Sequence, residues 1–233
     1  MNIAIIGYGK MGHMIEKVAL SRGHTVNVKI DPAAAGATHK EISKEALKGV
    51  DACIEFTAPD VAVENIKKLA ELDKNVVVGT TGWYNKINEI RPLIMKKGTG
   101  LIYSPNFSIG VDIFFRLMEH VFKVMSHFDN YNISMKEVHH VHKKDAPSGT
   151  AKKIAEIMKK HITRLSDLDI KSVRQGEVPG THTVTFESDV DVITLEHKAK
   201  NREGFALGAV MAAEWIKGKE GFYTIEDMME ELI

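Results

Sequence analysis

Short apolar runs alternate with amphipathic segments along the first hundred residues. Five runs have the length of buried strands: 2–6, 25–30, 51–56, 75–78 and 100–103. Between them, apolar residues recur at helical spacing, as they do at Met11, Met14, Ile15 and Val18. Helical spacing that alternates with strand-length runs predicts an α/β domain built on a parallel, doubly wound sheet, the Rossmann arrangement.

The pattern changes after residue 107. Four segments are predicted to be helical: 109–124, 148–161, 204–217 and 224–232. Four others are predicted to be strands: 131–139, 170–174, 181–187 and 190–197. This order predicts an α+β domain with a mixed sheet. We therefore expect a first domain at 1–107 and a second at 108–202, with the closing helices of 203–233 able to rejoin the first.

A glycine-rich turn follows the first apolar run. It reads Gly7-Tyr8-Gly9-Lys10-Met11-Gly12, and Asp31 ends the next run. The three glycines respectively permit a tight turn, let backbone amides approach a pyrophosphate, and let the helix pack close to the strand. The acid would accept hydrogen bonds from ribose hydroxyls. The first domain is therefore predicted to bind a dinucleotide, and the alternative is a strand–helix unit without a ligand.

Two further turns are candidates for the nicotinamide side of that site. Gly79-Thr80-Thr81 follows the fourth run, and Ser104-Pro105-Asn106-Phe107 follows the fifth. In parallel sheets, ligands bind beyond the carboxyl ends of the strands. Small and hydroxyl-bearing side chains there favour cofactor contacts over the alternative of ordinary loops.

The segment EVHHVHKKDAPSGTAKKI, at 137–154, places three histidines ahead of a predicted helix start. If it continues as a strand, His139, Val141 and Lys143 share one face. The opposite face then carries the other two histidines, His140 and His142. Three interpretations are open: a metal site, a solvated strand, or a site for anion binding and proton transfer.

The residues that follow favour the third interpretation. Asp145-Ala146-Pro147 is a predicted turn, and Ser148-Gly149-Thr150 opens the helix. Free N–H groups and hydroxyls at a helix start bind a carboxylate, and a histidine and a lysine beside them add proton donors and positive charge. Zinc would need further ligands at a clear spacing, so we predict no metal. The segment suits a small carboxylated substrate that is protonated as it is reduced.

Composition narrows the class of protein. The chain has 233 residues, 31 basic and 31 acidic side chains, and a single cysteine, Cys53. Zero formal net charge gives no electrostatic preference for nucleic acid or a membrane surface. No apolar run has the length of a membrane span, and the N-terminus lacks the pattern of a secretory signal. One cysteine excludes an intrachain disulfide, so we expect a cytoplasmic protein that binds neither nucleic acid nor membrane.

The sequence E-V-H-H-V-H-K-K-D-A-P-S-G-T-A closely resembles the signature of the 4-hydroxy-tetrahydrodipicolinate reductase (dihydrodipicolinate reductase) family, whose members act in diaminopimelate and lysine biosynthesis. The resemblance covers nearly the whole chain. Other matching positions are Gly7–Gly12, Gly79–Thr81, Ser104–Ser108, Gly180–His182, His197–Ala199, Arg202, Phe205 and Ala206.

The resemblance implies a reduction of that substrate with NADH and/or NADPH. It implies that His139 is the general acid and Lys143 a second proton donor. It implies substrate binding by His140, Ser148, Gly149, Thr150 and Arg202. It implies cofactor contacts at Gly7, Tyr8, Gly9, Lys10, Met11, Gly12, Asp31, Gly79, Thr80, Thr81, Ser104, Pro105, Asn106 and Phe107. Family members pair a Rossmann domain, completed here by 203–233, with a domain that binds the small dicarboxylate substrate and forms a homotetramer, here 108–202.

Two departures from the family pattern bear on the cofactor. Lys10 stands where many members have arginine, and Pro32 follows Asp31 where members that favour NADPH often have arginine. We therefore expect NADH to serve at least as well as NADPH. Two other functions remain open: another NAD(P)-dependent two-domain dehydrogenase acting on a small carboxylated substrate, and a dinucleotide sensor without catalysis.

Overall fold

The protein folds into two compact units in a computed structural model that describes residues 1–232. Unit 1 combines Met1–Ser108 with the C-terminal residues from Glu203 onward. Unit 2 comprises Ile109–Arg202.

The sheet of unit 1 has six parallel strands in the order β2-β1-β3-β4-β5-β10. Numbered along the chain, they are β1 (Asn2–Ile6), β2 (Thr25–Ile30), β3 (Ala52–Glu55), β4 (Asn75–Val78), β5 (Gly100–Tyr103) and β10 (Gly221–Thr224). The chain steps from β1 to β2 in one direction and from β3 to β4 in the other. Right-handed crossovers then put helices on both faces of the sheet, which is why β3 and β4 are apolar almost throughout.

Five helices and a short 3₁₀ turn (Tyr84–Lys86) complete unit 1. The helices are α1 (Lys10–Ser21), α2 (Pro59–Glu71), α3 (Ile87–Lys97), α6 (Glu203–Ile216) and α7 (Ile225–Leu232). Helix α6 packs against α1 and against β3 and β4, and its buried residues are mostly small: Ala206, Gly208, Ala209, Ala212 and Ala213. Small side chains let a helix approach a sheet closely, so the C-terminal segment is an integral layer of unit 1.

Unit 2 is a four-stranded mixed sheet in the order β7-β6-β8-β9, with two helices. Its elements are α4 (Ile109–Met125), β6 (Asn132–His139), α5 (Gly149–His161), β7 (Asp169–Arg174), β8 (Thr181–Glu187) and β9 (Val192–Lys198). β6 runs parallel to β7 and antiparallel to β8, and β8 is antiparallel to β9. Helices α4 and α5 pack together, and their apolar faces share one core with the sheet.

The predicted fold class is confirmed by these two sheets. Two local predictions differ from the structure. β10 was not predicted, because the run Gly-Phe-Tyr-Thr is short and directly precedes a helical pattern. β6 ends at His139, so the strand alternation extended over residues 140–143 is wrong.

No helix within residues 1–232 combines the length and the apolarity that a bilayer crossing requires.

Phe186 tests the core of unit 2. Its side chain is fully buried, and its ring centroid lies 5.8 Å from that of Phe122. Phe186→Ala should lower the free energy of unfolding by about 3–5 kcal/mol, because it removes apolar burial and leaves a cavity. Urea unfolding measures the change, and Leu20→Ala, at a residue of α1 that is 54% exposed, is the control. Equal effects of the two substitutions would contradict this assignment of the core.

Candidate active site

The glycine turn after β1 is shaped by close backbone approach. Gly7 has φ +91°, and a Cβ atom there would lie 2.1 Å from the backbone oxygen of Phe56. A Cβ atom on Gly12 would lie 2.4 Å from the backbone oxygen of Gly7. Gly9 differs, because no described residue other than its two chain neighbours has an atom within 4 Å of a Cβ built there. The turn is therefore closed on its protein side and open at Gly9, where α1 begins without a side-chain cap.

Asp31 ties this turn to the end of β2. Its carboxylate accepts hydrogen bonds from the backbone N–H groups of Tyr8 (2.9 Å), Ala33 (2.9 Å) and Ala34 (2.8 Å). The bond from Ala33, followed by the other two, lowers the pKa of Asp31 below its ordinary value. The predicted ribose-binding acid thus also fixes the local backbone.

Three side chains, Tyr8, Glu16 and Lys29, interact beside the turn in a way that the sequence pattern does not predict. The hydroxyl of Tyr8 donates to Glu16, and the ammonium of Lys29 lies 3.0 Å from Glu16 and 5.0 Å from the centroid of the Tyr8 ring. The hydrogen bond from Lys29 to Glu16 raises the pKa of Lys29. Lys29 is therefore paired within the protein, whereas Lys10 is exposed at the start of α1.

The turn after β4 contains one buried and one exposed threonine. Thr80 is buried, and its hydroxyl accepts a hydrogen bond from the Thr57 N–H at 2.7 Å, which joins the ends of β3 and β4. Its carbonyl accepts a bond from the Trp83 indole at 2.9 Å. Thr81 is exposed. Gly79 lies against the Phe56 ring: a Cβ atom built on Gly79 would come within 2.0 Å of a ring carbon.

The turn after β5 is held by its own polar groups. The Ser104 hydroxyl is buried, donates to the carbonyl of Asn106 at 2.8 Å and accepts from its N–H at 3.0 Å. Phe107 is buried with its ring centroid 6.4 Å from that of Phe56, and Pro105 is exposed. Parallel strands end at one edge of the sheet, so all the predicted cofactor residues lie along that edge of unit 1.

Unit 2 contains a group of polar residues that we call the Glu137 cluster: the buried Glu137, His139, Ser148 and His182, and the half-buried Arg174. Both carboxylate oxygens of Glu137 lie 3.1 Å from the backbone N of Ser148. The Arg174 guanidinium donates to the carboxylate at 3.2 Å. Nδ1 of His139 lies 3.4 Å and Nε2 of His182 lies 4.0 Å from the same carboxylate.

The register of the sheet brings together the four cluster residues that lie on strands β6, β7 and β8. Glu137 pairs with His182 on β8, and His139 pairs with Arg174 on β7. Burial would raise the pKa of Glu137, but hydrogen bonds led by that from Ser148 outweigh it and lower the pKa. Glu137 is therefore a buried anion.

The histidines of the cluster differ in the strength of their pKa shifts. Burial lowers the pKa of His182 to about 4, so its ring is neutral near pH 7. Burial also lowers the pKa of His139, while the charge of Glu137 acts in the opposite direction. The two rings meet edge to face at 5.1 Å between centroids. Burial thus favours the neutral form of both rings, and the charge of Glu137 opposes it at each.

Lys143 reaches this region by a turn rather than along a strand. Its N–H donates to the carbonyl of His140 at 3.1 Å, and its ammonium lies 2.8 Å from the carboxylate of Asp145. Arg174 donates to the carbonyl of Lys143 at 3.2 Å and to that of Asp145. The loop is therefore anchored to the same guanidinium that bonds Glu137. The exposed His142 lies 6.1 Å from His140 between ring centroids.

The three residues at the start of α5, Ser148, Gly149 and Thr150, differ in their burial and contacts. Ser148 is buried, and its backbone N–H donates to the carboxylate of Glu137. Its hydroxyl oxygen accepts a hydrogen bond from the backbone N–H of Ala151 at 3.2 Å and lies 3.3 Å from Nε2 of His182. Gly149 is exposed: apart from its chain neighbours and the backbone of its own helix, no described atom lies within 4 Å of a Cβ built on it. Thr150 is half-buried. The open part of this helix start is therefore at Gly149 and Thr150, and Ser148 serves as the cap.

Glu137, Arg174 and His182 were not assigned roles from the sequence, although Glu137 and His182 stand in quoted motifs. The sequence does carry a signal for Glu137: it is a charged residue at a position of β6 where the alternation predicts a buried side chain. Arg202, predicted to bind substrate, lies exposed in the bend after β9 and is not a member of the cluster.

The possible ligand atoms of Glu137, His139 and His182 lie within 4.8 Å of one another. The carboxylate already accepts bonds from Arg174 and Ser148, and a divalent cation would have to displace this guanidinium. The donor set therefore favours proton transfer over metal binding.

Two family models match the chain. The model described as dihydrodipicolinate reductase, N-terminus, matches residues 1–107, and the one described as dihydrodipicolinate reductase, C-terminus, matches residues 110–229. The chain belongs to the dihydrodipicolinate reductase family. The resemblance seen in the sequence is thereby confirmed.

Full-length relatives carry the name of this family. The chain is 37% identical to the 4-hydroxy-tetrahydrodipicolinate reductase of Christiangramia forsetii, with 100% of this chain and 99% of the relative covered. It is 35% identical to that of Archaeoglobus fulgidus, with 99% and 100% covered. The solved dipicolinate-bound dihydrodipicolinate reductase from Paenisporosarcina sp. TG-14 shares the fold, with a TM-score of 0.79, 21% identity, and 98% and 99% of the two chains covered.

Proposed function

We propose that this dihydrodipicolinate reductase family member reduces 4-hydroxy-tetrahydrodipicolinate to tetrahydrodipicolinate in diaminopimelate and lysine biosynthesis. The reaction is the one for which its full-length relatives are named. The observation that carries the proposal is the Glu137 cluster, which places His139 at the start of α5 and, through Arg174, anchors the loop of Lys143. A protein that only sensed a dinucleotide would have no use for such a group.

The residues of unit 1 fit a nicotinamide dinucleotide, which supplies the hydride when bound. The turn is open at Gly9, and the N–H groups at the start of α1 are suited to the pyrophosphate. The other residues proposed to contact it are Gly7, Tyr8, Lys10, Met11, Gly12, Asp31, Gly79, Thr80, Thr81, Ser104, Pro105, Asn106 and Phe107. Thr80 and Ser104 would act largely by shaping their turns, since their hydroxyls are engaged within the protein.

Unit 2 is proposed to hold the substrate by its carboxylates. Gly149 and Thr150 would offer the first amides of α5, and His140 and Arg202 would add polar and positive groups. Ser148 holds the helix start in position. Fixing both carboxylates presents one face of the ring for reduction.

His139 and Lys143 are the proposed proton donors. Hydride addition to a conjugated ring imine moves electron density onto the ring nitrogen, and a positioned acid that protonates it lowers the barrier. Burial lowers the pKa of His139, and an anionic substrate beside it would raise the pKa again. The donor would therefore be protonated most readily when the substrate is bound.

We also propose that the protein is a cytoplasmic homotetramer assembled through the sheet of unit 2. Support comes from exposed apolar side chains on and beside the edge strand β9: Val190, Val192 and Ile193. Apolar residues exposed on an edge strand favour burial against another chain.

The reaction itself is tested by a coupled assay. NADH or NADPH should be oxidised only when 4-hydroxy-tetrahydrodipicolinate is generated in situ. Binding of the dinucleotide without oxidation would support a sensor. Oxidation with a different small carboxylated substrate, and none with this one, would support another dehydrogenase.

Replacing the proton donors tests the chemistry. His139→Gln should lower kcat by about 10²–10⁴-fold, the usual contribution of general acid catalysis. Lys143→Ala should be comparably damaging and should also raise KM, because its ammonium attracts an anionic substrate. Dinucleotide affinity, measured by fluorescence titration, should be unchanged in both.

His142→Gln is the matched control, since its side chain is 75% exposed in the same loop. A severe loss in this variant together with full activity in His139→Gln would show that the wrong histidine has been assigned.

The cofactor preference is tested at Asp31. Its negative charge should repel a 2′-phosphate, and Lys29 is already paired with Glu16, so kcat/KM for NADH should equal or exceed that for NADPH. Asp31→Asn should move the ratio toward NADPH by about tenfold, which corresponds to about 1.4 kcal/mol. Asp51→Asn, at the amino end of β3, is the control. A strong NADPH preference in the unmodified protein would rule out this role of Asp31.

A further inference from the structure

Glu137 occupies a position where the alternation of β6 predicts an apolar residue. Ile133 and Met135 precede it on the same buried face, and Glu137 is 0% exposed. Burying a carboxylate is unfavourable unless charged partners and hydrogen bonds compensate. Packing alone would be served better by an aliphatic side chain, so the carboxylate at this position needs another explanation.

The contacts of Glu137 connect three parts of the proposed substrate site: the start of α5, the loop of Lys143 and the ring of His139. Its carboxylate accepts from Ser148 N, which fixes the start of α5. It accepts from Arg174, which in turn donates to the carbonyls of Lys143 and Asp145 in the loop. It also lies 3.4 Å from Nδ1 of His139, the distance of an ion pair rather than of a hydrogen bond.

The His139 ring is oriented by what lies on its two sides. Nδ1 faces the carboxylate of Glu137. Nε2 lies beside Gly180, where a Cβ atom would come within 3.1 Å of it and where φ is +154°. A side chain at position 180 would crowd Nε2. The glycine therefore keeps clear the nitrogen that is turned away from the carboxylate.

The charges around His139 come from every element packed against it. Besides Glu137 on β6, they are Arg174 on β7, and Lys143 and Asp145 in the loop before α5; the neutral ring of His182 on β8 also packs against His139. After burial, which lowers the pKa of His139, the largest influence is Glu137, which raises it. Lys143 and Arg174 lower it further, and Asp145 opposes them.

We propose that Glu137 is the positioning residue of the proton donor: it faces Nδ1 of His139, stabilises the protonated ring, and leaves the transferable proton on Nε2. The same carboxylate joins that ring to the substrate-binding start of α5 and, through Arg174, to the loop of Lys143. This inference rests on His139 acting as the proton donor in the proposed function.

The pH profile of kcat/KM tests the proposal, because this profile reports the pKa values of the free enzyme. Protonated His139 is the active form, so activity falls as pH rises through its pKa. Glu137→Gln removes the charge that raises this pKa, and the falling limb should move to lower pH by about one unit or more. Above that limb kcat/KM should drop about tenfold, and at the acidic end the variant should approach the unmodified enzyme.

Three companion variants separate this role from a structural one. Glu137→Asp keeps the charge and should restore the limb toward its original pH. Glu119→Gln removes the carboxylate of another glutamate–histidine pair, 2.7 Å from His161 at the far end of α5, and should leave the profile unchanged. In a variant that already carries His139→Gln, adding Glu137→Gln should not shift the pH profile of kcat/KM any further. A folded Glu137→Gln enzyme with an unshifted profile would overturn the inference.

The outcome also distinguishes the two proposals. If His139→Gln retains the full profile and kcat, the assignment of the proton donor and the role of Glu137 both fail, whereas the reduction itself is decided by the coupled assay. If His139→Gln is damaging but Glu137→Gln shifts nothing, only the role of Glu137 fails.

A measurement on the unmodified protein covers the case in which Glu137→Gln does not fold. In ¹⁵N-histidine NMR spectra, assigned by comparison with His139→Gln, the neutral ring of His139 should carry its proton on Nδ1. A ring protonated on Nε2 in its neutral form would contradict the proposed orientation.

Discussion

A negative charge without access to water, that of Glu137, sets the local arrangement of unit 2. An anion at the end of an apolar strand face can persist only where donors surround it. The Ser148 N–H and the Arg174 guanidinium satisfy this condition. Their positions in turn determine where α5 starts and how the loop before it is anchored. The polar end of the unit 2 core is therefore a consequence of compensating one charge.

The fold of unit 1 could be predicted in most of its detail because its signals are local. Apolar runs of strand length, helical spacing and the glycines of the first turn each report on neighbouring residues. The structure gives the reason for Gly7 and Gly12, since a Cβ atom on either would collide with backbone. β10 was missed because its four residues become a strand only by pairing with β5, a contact between distant parts of the sequence.

The candidate site of unit 2 could be predicted only where it is contiguous. The segment from His139 to Thr150 was identified from its residue types. Arg174 and His182 lie on neighbouring strands, and the register of the sheet brings them to Glu137. The register depends on how the strands pair, so it cannot be predicted from one segment alone. The strand alternation predicted over residues 140–143 is wrong for a related reason. β6 ends at His139, and a turn rather than a strand brings Lys143 close to the Glu137 cluster.

The insertion of unit 2 within unit 1 has a consequence for the order of assembly during synthesis. β5 and β10 are neighbours in one sheet, yet the whole of unit 2 lies between them in the chain. On the ribosome, all of unit 2 is made before α6 and β10 exist. Until then the nascent first unit exposes the edge of β5 and the sheet face that α6 later covers, surfaces of the kind that promote aggregation and chaperone binding. Closure of unit 1 therefore requires α6 and β10, which are synthesised only after the whole of unit 2.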